Sequence, residues 1–448
     1  MRQAGFLRLP ASRTLQDYAT FAEPQSGWRS EVLDEMVKQY RPIQAPDAEL
    51  GMLCFDEVKI KEGLLFDQSF NKPVGFVDFD SGNEEHPTAL LATHVMQFYF
   101  KSLFADFAFP CAYYLTRAVT AEQVSSMFWN GIHALHDYGF SVLLACGDGA
   151  SYNRTFFRIN SHHNPWQSKN PWTDQPIFFI SDPPHLFKKL RNQLFNSGSS
   201  EHHTRCMSLG AHKIIWSHIE DVFARDQSAH LRSTPLTREH VYLDSLSKMR
   251  NKLAYDIFDE SVEVNMKANG DETTKCTQEY LHHTRKLLHL RSTDPVRRIT
   301  DLTIVELRSA QQWFNRWLDQ LRNDYPERSQ RAPHFISWQT HEDINLTVNG
   351  FCGLIAHLCQ PSFTSQHFAG HFIIPKRLSQ DIIESHFSQQ RGGCGGNQNM
   401  TAYAYSYNNQ RLMCTRVARK NKRKDNAMAA PQRKRHKENE ASPWRLSL

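Results

Sequence analysis

Residues 140–149, FSVLLACGDG, hold six apolar residues broken only by Ser141 and close on Gly147-Asp148-Gly149. A short apolar run ending in turn formers reads as a buried β-strand. Upstream, AEQVSSMFWNGIHALHDYG (121–139) places apolar residues at 124, 127, 128, 132 and 135, near helical spacing, and stops at Gly139. Downstream, PIFFIS (176–181) reads as a further strand. DPPHLFKKLRNQLF (182–195) follows as a helix opened by Asp182 and two prolines, with Leu186, Leu190 and Leu194 along one face. Nearer the N-terminus, MLCFDEVKIKEGLLFD (52–67) and NKPVGFVDF (71–79) are β-rich runs joined by turn-forming residues, which predicts a β-hairpin. Strands alternating with helices in this order imply an α/β sheet.

Past residue 196 the texture changes. NSGSSEHH (196–203) is a loop, and the next ~170 residues are mostly helical in pattern, as in IIWSHIEDVFARD (214–226) and IVELRSAQQWFNRWLDQLRND (304–324). RLSQDIIESHFSQQ (377–390) is again helical and runs into the glycine-rich RGGCGGNQN. The expected organisation is a helical segment over 1–45, a first α/β part over 46–196, a helical insertion over 197–370, the end of the α/β domain over 371–415 and a basic tail over 416–448.

The 448 residues are 40% hydrophobic and 22% charged, ordinary for a globular chain and unlike a fibrous or wholly disordered one. Nine cysteines with no Cys-x-x-Cys pair fit reduced thiols better than a disulfide framework. The most apolar stretch, Leu90 to Pro110, is interrupted by His94, Lys101 and Asp106, so no membrane span is expected, and the N-terminus has no apolar signal segment. Residues 416–440 carry ten Lys/Arg against Asp425, Glu438 and Glu440, a larger excess than the +5 of the entire chain. Two basic clusters, RKNKRK and RKRHK, read as a nuclear-import or nucleic-acid patch, giving a nuclear expectation. No coiled-coil heptad is visible.

Three acids are candidates for chemistry. Asp56 sits among apolar residues in LCFDEV, where an acid is costly unless paired or bound to a cation. Asp148 ends a strand, the place where open α/β sheets bind ligands. Glu384 lies on the helix QDIIESHF. Such a trio suits Mg²⁺ or Mn²⁺, and a pair of these ions can drive phosphodiester displacement. Each acid also has an ordinary reading, as a turn former or a solvated helix residue. Asp78 and Asp80 compete for the first position and Asp182, a natural helix cap, for the second.

In order along the chain, FDEVKIKEGLLFD, KPVGFVDF, CGDGASYNRTFF, FFISDPPHLFKKLRN, WSHIEDVF, LTREHV, SKMRNKLA, FISWQT and LSQDIIESHFSQQRGG resemble the P element transposases and their THAP-domain relatives, over roughly Gly5 to Arg411. The resemblance implies an RNase H-like core interrupted before its last helix by a GTP-binding insertion, with a DDE triad for cut-and-paste DNA transposition. Residue by residue it carries the triad to Asp56, Asp148 and Glu384. It carries nucleotide contacts to Asp381, to Lys248, Arg250 and Lys252, and to Asp319, although Arg322 stands where the family pattern has Asn. No Gly-x-x-x-x-Gly-Lys-Ser/Thr loop is present, so GTP rests on the resemblance.

The THAP zinc finger is missing from the pattern, since Cys54 is without a nearby partner cysteine. The paired histidines at 162–163, 202–203 and 282–283 are expected at the surface, because adjacent side chains diverge too far to share a metal. DNA is the expected partner, through Lys188, Lys189, Arg191, Arg391, the Gly392–Gly396 loop and the tail, with at least a homodimer assembled on it. The alternative is a domesticated or truncated relative that binds DNA or nucleotide without cutting.

Overall fold

The computed structural model describes residues 22–79, 90–199, 203–396 and 399–414, together with Thr14. Asp80, His202 and the basic tail from 416 lie outside the described residues.

Among the described residues, nine strands and the helices around them form the α/β part: β1 (Gly27–Trp28), α1 (Ser30–Tyr40), β2 (Leu50–Lys59), β3 (Leu65–Asp67), β4 (Lys72–Val74), β5 (His94–Ser102), β6 (Ala108–Thr116), α2 (Ala121–Asp137), β7 (Ser141–Gly147), α3 (Ser151–Asn160), β8 (Gln167–Lys169), β9 (Pro176–Ser181) and α4 (Pro183–Phe195). Seven of these strands make one mixed sheet in the order β1-β6-β5-β2-β7-β9-β8. Strands β2, β5 and β6 run antiparallel as a meander, whereas β7 and β9 run parallel to β2. Long connections make the parallel pairings possible, one carrying α2 between β2 and β7 and one carrying α3 between β7 and β9. This is the α/β core expected, with one difference in pairing. The hairpin read over 52–79 shrinks to three-residue β3 and β4, and β2 takes β5 as its long antiparallel partner instead. The signal was masked because β5 and β6 are apolar on both faces, so period-two alternation disappears.

Both faces are apolar because both are covered. Leu53, Phe55, Phe98 and Phe100 pack with Met127 and Phe128 of α2 on one side. Met52, Cys54 and Tyr99 pack on the other with Leu186 of α4, and with Phe387 and Tyr405 from the C-terminal helices. Those helices are α14 (Asp381–Gly393) and α15 (402–414). The second was not anticipated. Its Tyr405 hydroxyl donates to the buried Gln97 Oε1 at 2.7 Å, which fastens it to the middle of the sheet.

Between α4 and α14 lie the predominantly helical residues of the insertion: α5 (Ser217–Ser228), α6 (Arg238–Val241), α7 (Asn251–Ile257), α8 (Glu260–Asn269), α9 (Lys275–Leu287), α10 (Leu302–Asp324), α11 (Arg328–Arg331), α12 (Trp338–Leu358) and α13 (Pro361–Thr364). A two-residue hairpin, β10 (Ser208–Leu209) with β11 (His212–Lys213), interrupts them. Helix α12 lies flush on β9. A Cβ at Gly350 would stand 2.0 Å from the Phe179 carbonyl oxygen, and one at Gly353 would stand 2.7 Å from the Phe178 ring. Glycine is required there for close approach. The insertion therefore shares a continuous apolar core with one face of the sheet. No helix among the described residues is long and apolar enough to cross a membrane.

Candidate functional site

Alternation along β2 decides which way its acid faces. Met52, Cys54 and Val58 belong to the core under α4 and α14, so Asp56, on the same parity, points to that side. Phe55 is in register with Gly147 across the parallel pair, and Gly147 with Ser181 of β9. One residue further on, Asp56, Asp148 and Asp182 therefore come abreast on three neighbouring strands, two of them just past their strands' carboxyl ends.

Asp148 is pinned by its own turn. Its Oδ1 accepts from the Ala150 amide at 2.9 Å and from Nδ2 of the buried Asn153 at 2.6 Å. Asp56 accepts from the amide of Glu57 at 2.8 Å. Burial and the facing Asp148 push the Asp56 carboxyl up to about 8, so two neighbouring carboxyls share one site uncomfortably without a cation.

Asp182, 1% exposed, behaves as the helix cap that its position suggested. Its Oδ2 accepts from the His185 amide at 3.2 Å, while Oδ1 accepts from the Gln380 amide at 2.8 Å. Burial pushes its carboxyl up to about 6, against the opposing effect of His185. Gln380 in turn donates through Nε2 to the carbonyls of Phe55 and Cys146, the residues two or fewer before Asp56 and Asp148. This bracket sets the start of α14 directly over β2 and β7, which brings Glu384, in its first turn, to the same end of the sheet.

Glu384 does not close onto the two aspartates. Its Oε1 lies 3.4 Å from His185 Nε2, and its side chain remains 40% exposed. The hydrogen bond from His185 holds the Glu384 carboxyl below its usual value despite burial. Burial pulls His185 down, but Glu384 and Asp182 outweigh it and hold the imidazole above its usual value. Among the described residues no three His, Cys, Asp or Glu side chains are placed to grip one metal ion. The donor set nevertheless fits a hard divalent cation: an adjacent carboxylate pair whose repulsion a cation would relieve, with a third carboxylate beside it. Asp78, the competitor for the first position, sits instead in an isolated bridge with Leu115.

The expected DNA contacts divide. Lys188 stands near the acids, where Glu384, Asp182 and Asp56 counter the lowering that burial imposes on its ammonium. Lys189 is engaged with Asp343 at 2.7 Å. Arg191 is fully buried, donating to the Lys248 carbonyl at 2.6 Å, and is closed to DNA. Arg391 is exposed.

A cavity of about 480 Å³ opens between the insertion and the start of α14, lined among others by Lys252, Tyr255, Arg291, Lys376 and Asp381. Arg291 stacks on the Tyr255 ring at 3.3 Å. Of the five residues carried over for nucleotide contact, Lys252 and Asp381 line it, with the Lys252 ammonium paired to Asp256, a further lining residue. Lys248 turns to the Phe195 ring at 4.7 Å, Arg250 pairs with Glu239, and Asp319 pairs with Arg322 at 2.8 Å on the exposed face of α10. His282 and His283 are half-buried and not at the surface as expected. The first meets Glu263 at 3.2 Å and the second stacks on Trp313.

His185 and Gln380 were missed as site residues, whereas Lys188 was expected as a DNA contact and not as a neighbour of the acids. His185 and Lys188 stand inside the quoted FFISDPPHLFKKLRN, but nothing in that segment shows that the imidazole meets a glutamate 199 positions away.

Residues 24–160 match the family described as TNP-like, RNase H N-terminal domain. The chain is 20% identical over 415 residues to the Transposable element P transposase of Drosophila melanogaster, covering 89% of this chain and 49% of that protein. It is 21% identical over 198 residues to the human DNA transposase THAP9, covering 42% of this chain and 22% of that protein. The chain thus spans about half or less of the length of these curated relatives. Among solved structures, the Drosophila P element transposase strand transfer complex superposes with a TM-score of 0.70 at 18% identity, over 90% of this chain and 85% of that one. The described core has the RNase H-like fold, its residues 24–160 match the TNP-like RNase H N-terminal domain, and the chain is similar at low identity to the P element and THAP-type transposases.

Proposed function

We propose that the chain is the catalytic core of a cut-and-paste DNA transposase that hydrolyses a phosphodiester at an element end and joins the freed 3′-hydroxyl to target DNA. The observation that carries this reading is the register that sets Asp56 beside Asp148 at one end of the sheet, with Glu384 delivered to that end by the Gln380 bracket. Asp56 and Asp148 would hold Mg²⁺ or Mn²⁺, and Glu384 would join them on exchanging its hydrogen bond with His185. The cation would supply positive charge to the attacking and leaving oxygens. The chain's own part is to fix the carboxylates in place, while Lys188 offers its ammonium to a phosphate. GTP would occupy the cavity at Lys252 and Asp381, where the ammonium and guanidinium groups of Lys252, Arg291 and Lys376 suit phosphates. DNA is the partner, bound by at least a dimer in the nucleus, with the basic tail adding phosphate contacts.

Incubation of the purified chain with end-containing duplexes and Mg²⁺ or Mn²⁺ tests this. Nicked and joined products that vanish with Asp148→Asn are expected. Their absence on genuine element ends would favour the second reading, a domesticated relative that binds DNA or nucleotide without cutting. The hold of His185 on Glu384 is the feature that favours that second reading.

A further inference from the structure

Asp343 lies on α12, in the insertion, and is 1% exposed. Its Oδ2 accepts from Lys189 Nζ of α4 at 2.7 Å, and its two oxygens lie 3.3 and 3.2 Å from Arg154 Nη1 of α3. Both cations touch the turn that follows β7. Lys189 also reaches the Gly149 carbonyl at 3.4 Å, and Arg154 sits in the first turn of the helix that begins there, its amide bonded to the Ala150 carbonyl at 3.1 Å. The cluster presses against Gly149 so closely that a Cβ there would fall 1.6 Å from Lys189 Nζ, 2.8 Å from Asp343 Oδ2 and 2.9 Å from Arg154 Nη1. Gly149 is the residue after Asp148.

A buried ion triad adds little net stability, because desolvation consumes most of the Coulombic gain, whereas it does fix geometry. Here the geometry fixed is that of the Asp148 turn, held on its other side by Ala150 and Asn153. We propose that Asp343 is a positioning residue: from within the insertion it clamps Arg154 and Lys189 and thereby sets where the Asp148 carboxylate stands. The inference rests on the functional reading above, since it concerns the delivery of Asp148 to a cation. It gives the insertion a mechanical part in the catalytic centre that is separate from the cavity at Lys252.

The test is Mn²⁺ titration of the full chain, followed by the electron paramagnetic resonance signal of the free ion, for wild type, Asp148→Asn, Asp343→Asn and Lys189→Met. Wild type is expected to bind Mn²⁺ and Asp148→Asn to lose it. Asp343→Asn and Lys189→Met should each raise the half-saturating Mn²⁺ concentration about tenfold, the usual cost of removing a group that orients a metal ligand. Lys189→Met leaves Asp343 paired with Arg154, so it decides the matter should Asp343→Asn fail to fold. Lowered melting temperatures with unchanged Mn²⁺ half-saturation would reduce the triad to a structural role and overturn the inference. Wild-type binding that Asp148→Asn leaves intact would overturn the functional reading, and the inference with it.

Discussion

His185 Nε2 stands 3.4 Å from Glu384 Oε1, and the same histidine gives its backbone amide to Asp182. One residue thus links the cap of α4 to the helix that carries the third acid.

The pair has a defined pH window. The His185 pKa is raised in the fold above its usual 6.5, so its stabilisation is complete below 6.5 and is lost as pH rises through the folded value. The Glu384 pKa is lowered below its usual 4.5, so its share is complete above 4.5 and is lost as pH falls through the folded value. His185→Gln should therefore destabilise most between about pH 4.5 and 6.5. Solvent screening keeps the loss near or below ~1 kcal/mol. Thermal melts across pH 4 to 9 check this, and a uniform loss at every pH would contradict it.

Asp148→Asn should return the Asp56 carboxyl from about 8 toward the ordinary carboxylate range, because it removes one cause of the rise while burial and the weaker repulsion of Asp182 stay. Titration by ¹³C NMR of labelled aspartate reads this directly. An Asp56 that still titrates near 8 would assign the shift to burial and Asp182, with no part for Asp148.

Gly350→Ala should cost ~1 to 3 kcal/mol, since its methyl group meets the Phe179 carbonyl at 2.0 Å and backbone cannot swing aside. Denaturant melts measure the loss. An unchanged midpoint would mean that α12 does not sit tightly on β9.

Lys252→Ala and Lys376→Ala should each weaken GTP binding about tenfold, the worth of a charge-assisted hydrogen bond, whereas Asp319→Ala should leave it unchanged. Equilibrium binding of fluorescent GTP distinguishes these outcomes. Dependence on Asp319 would move the nucleotide away from this cavity.

Much of the core was legible because its elements carry simple periods. The β7 strand, the α2 and α4 helices and the Asp182 cap follow from local pattern. Strands β5 and β6 were not legible, because burial on both faces erases alternation, and α15 was hidden in a tyrosine- and asparagine-rich segment. For the candidate site, Asp56, Asp148 and Glu384 could each be singled out by context. The link between Glu384 and His185, the Gln380 bracket and the Asp343 clamp span 199, more than 200 and 154 to 189 positions. Contacts at such separations leave no period in a single sequence. The burial of Arg191 was likewise invisible, since its neighbours Lys188 and Lys189 make the segment look like a solvated basic face.

The most direct measurement of the central claim is a crystal structure of the chain soaked with Mn²⁺ and collected at an energy where manganese scatters anomalously. The account predicts an anomalous peak within ~2 to 2.3 Å of carboxylate oxygens of both Asp56 and Asp148, with Glu384 released from His185 toward it. A peak confined to other residues, with Asp56 and Asp148 left unligated, would contradict it.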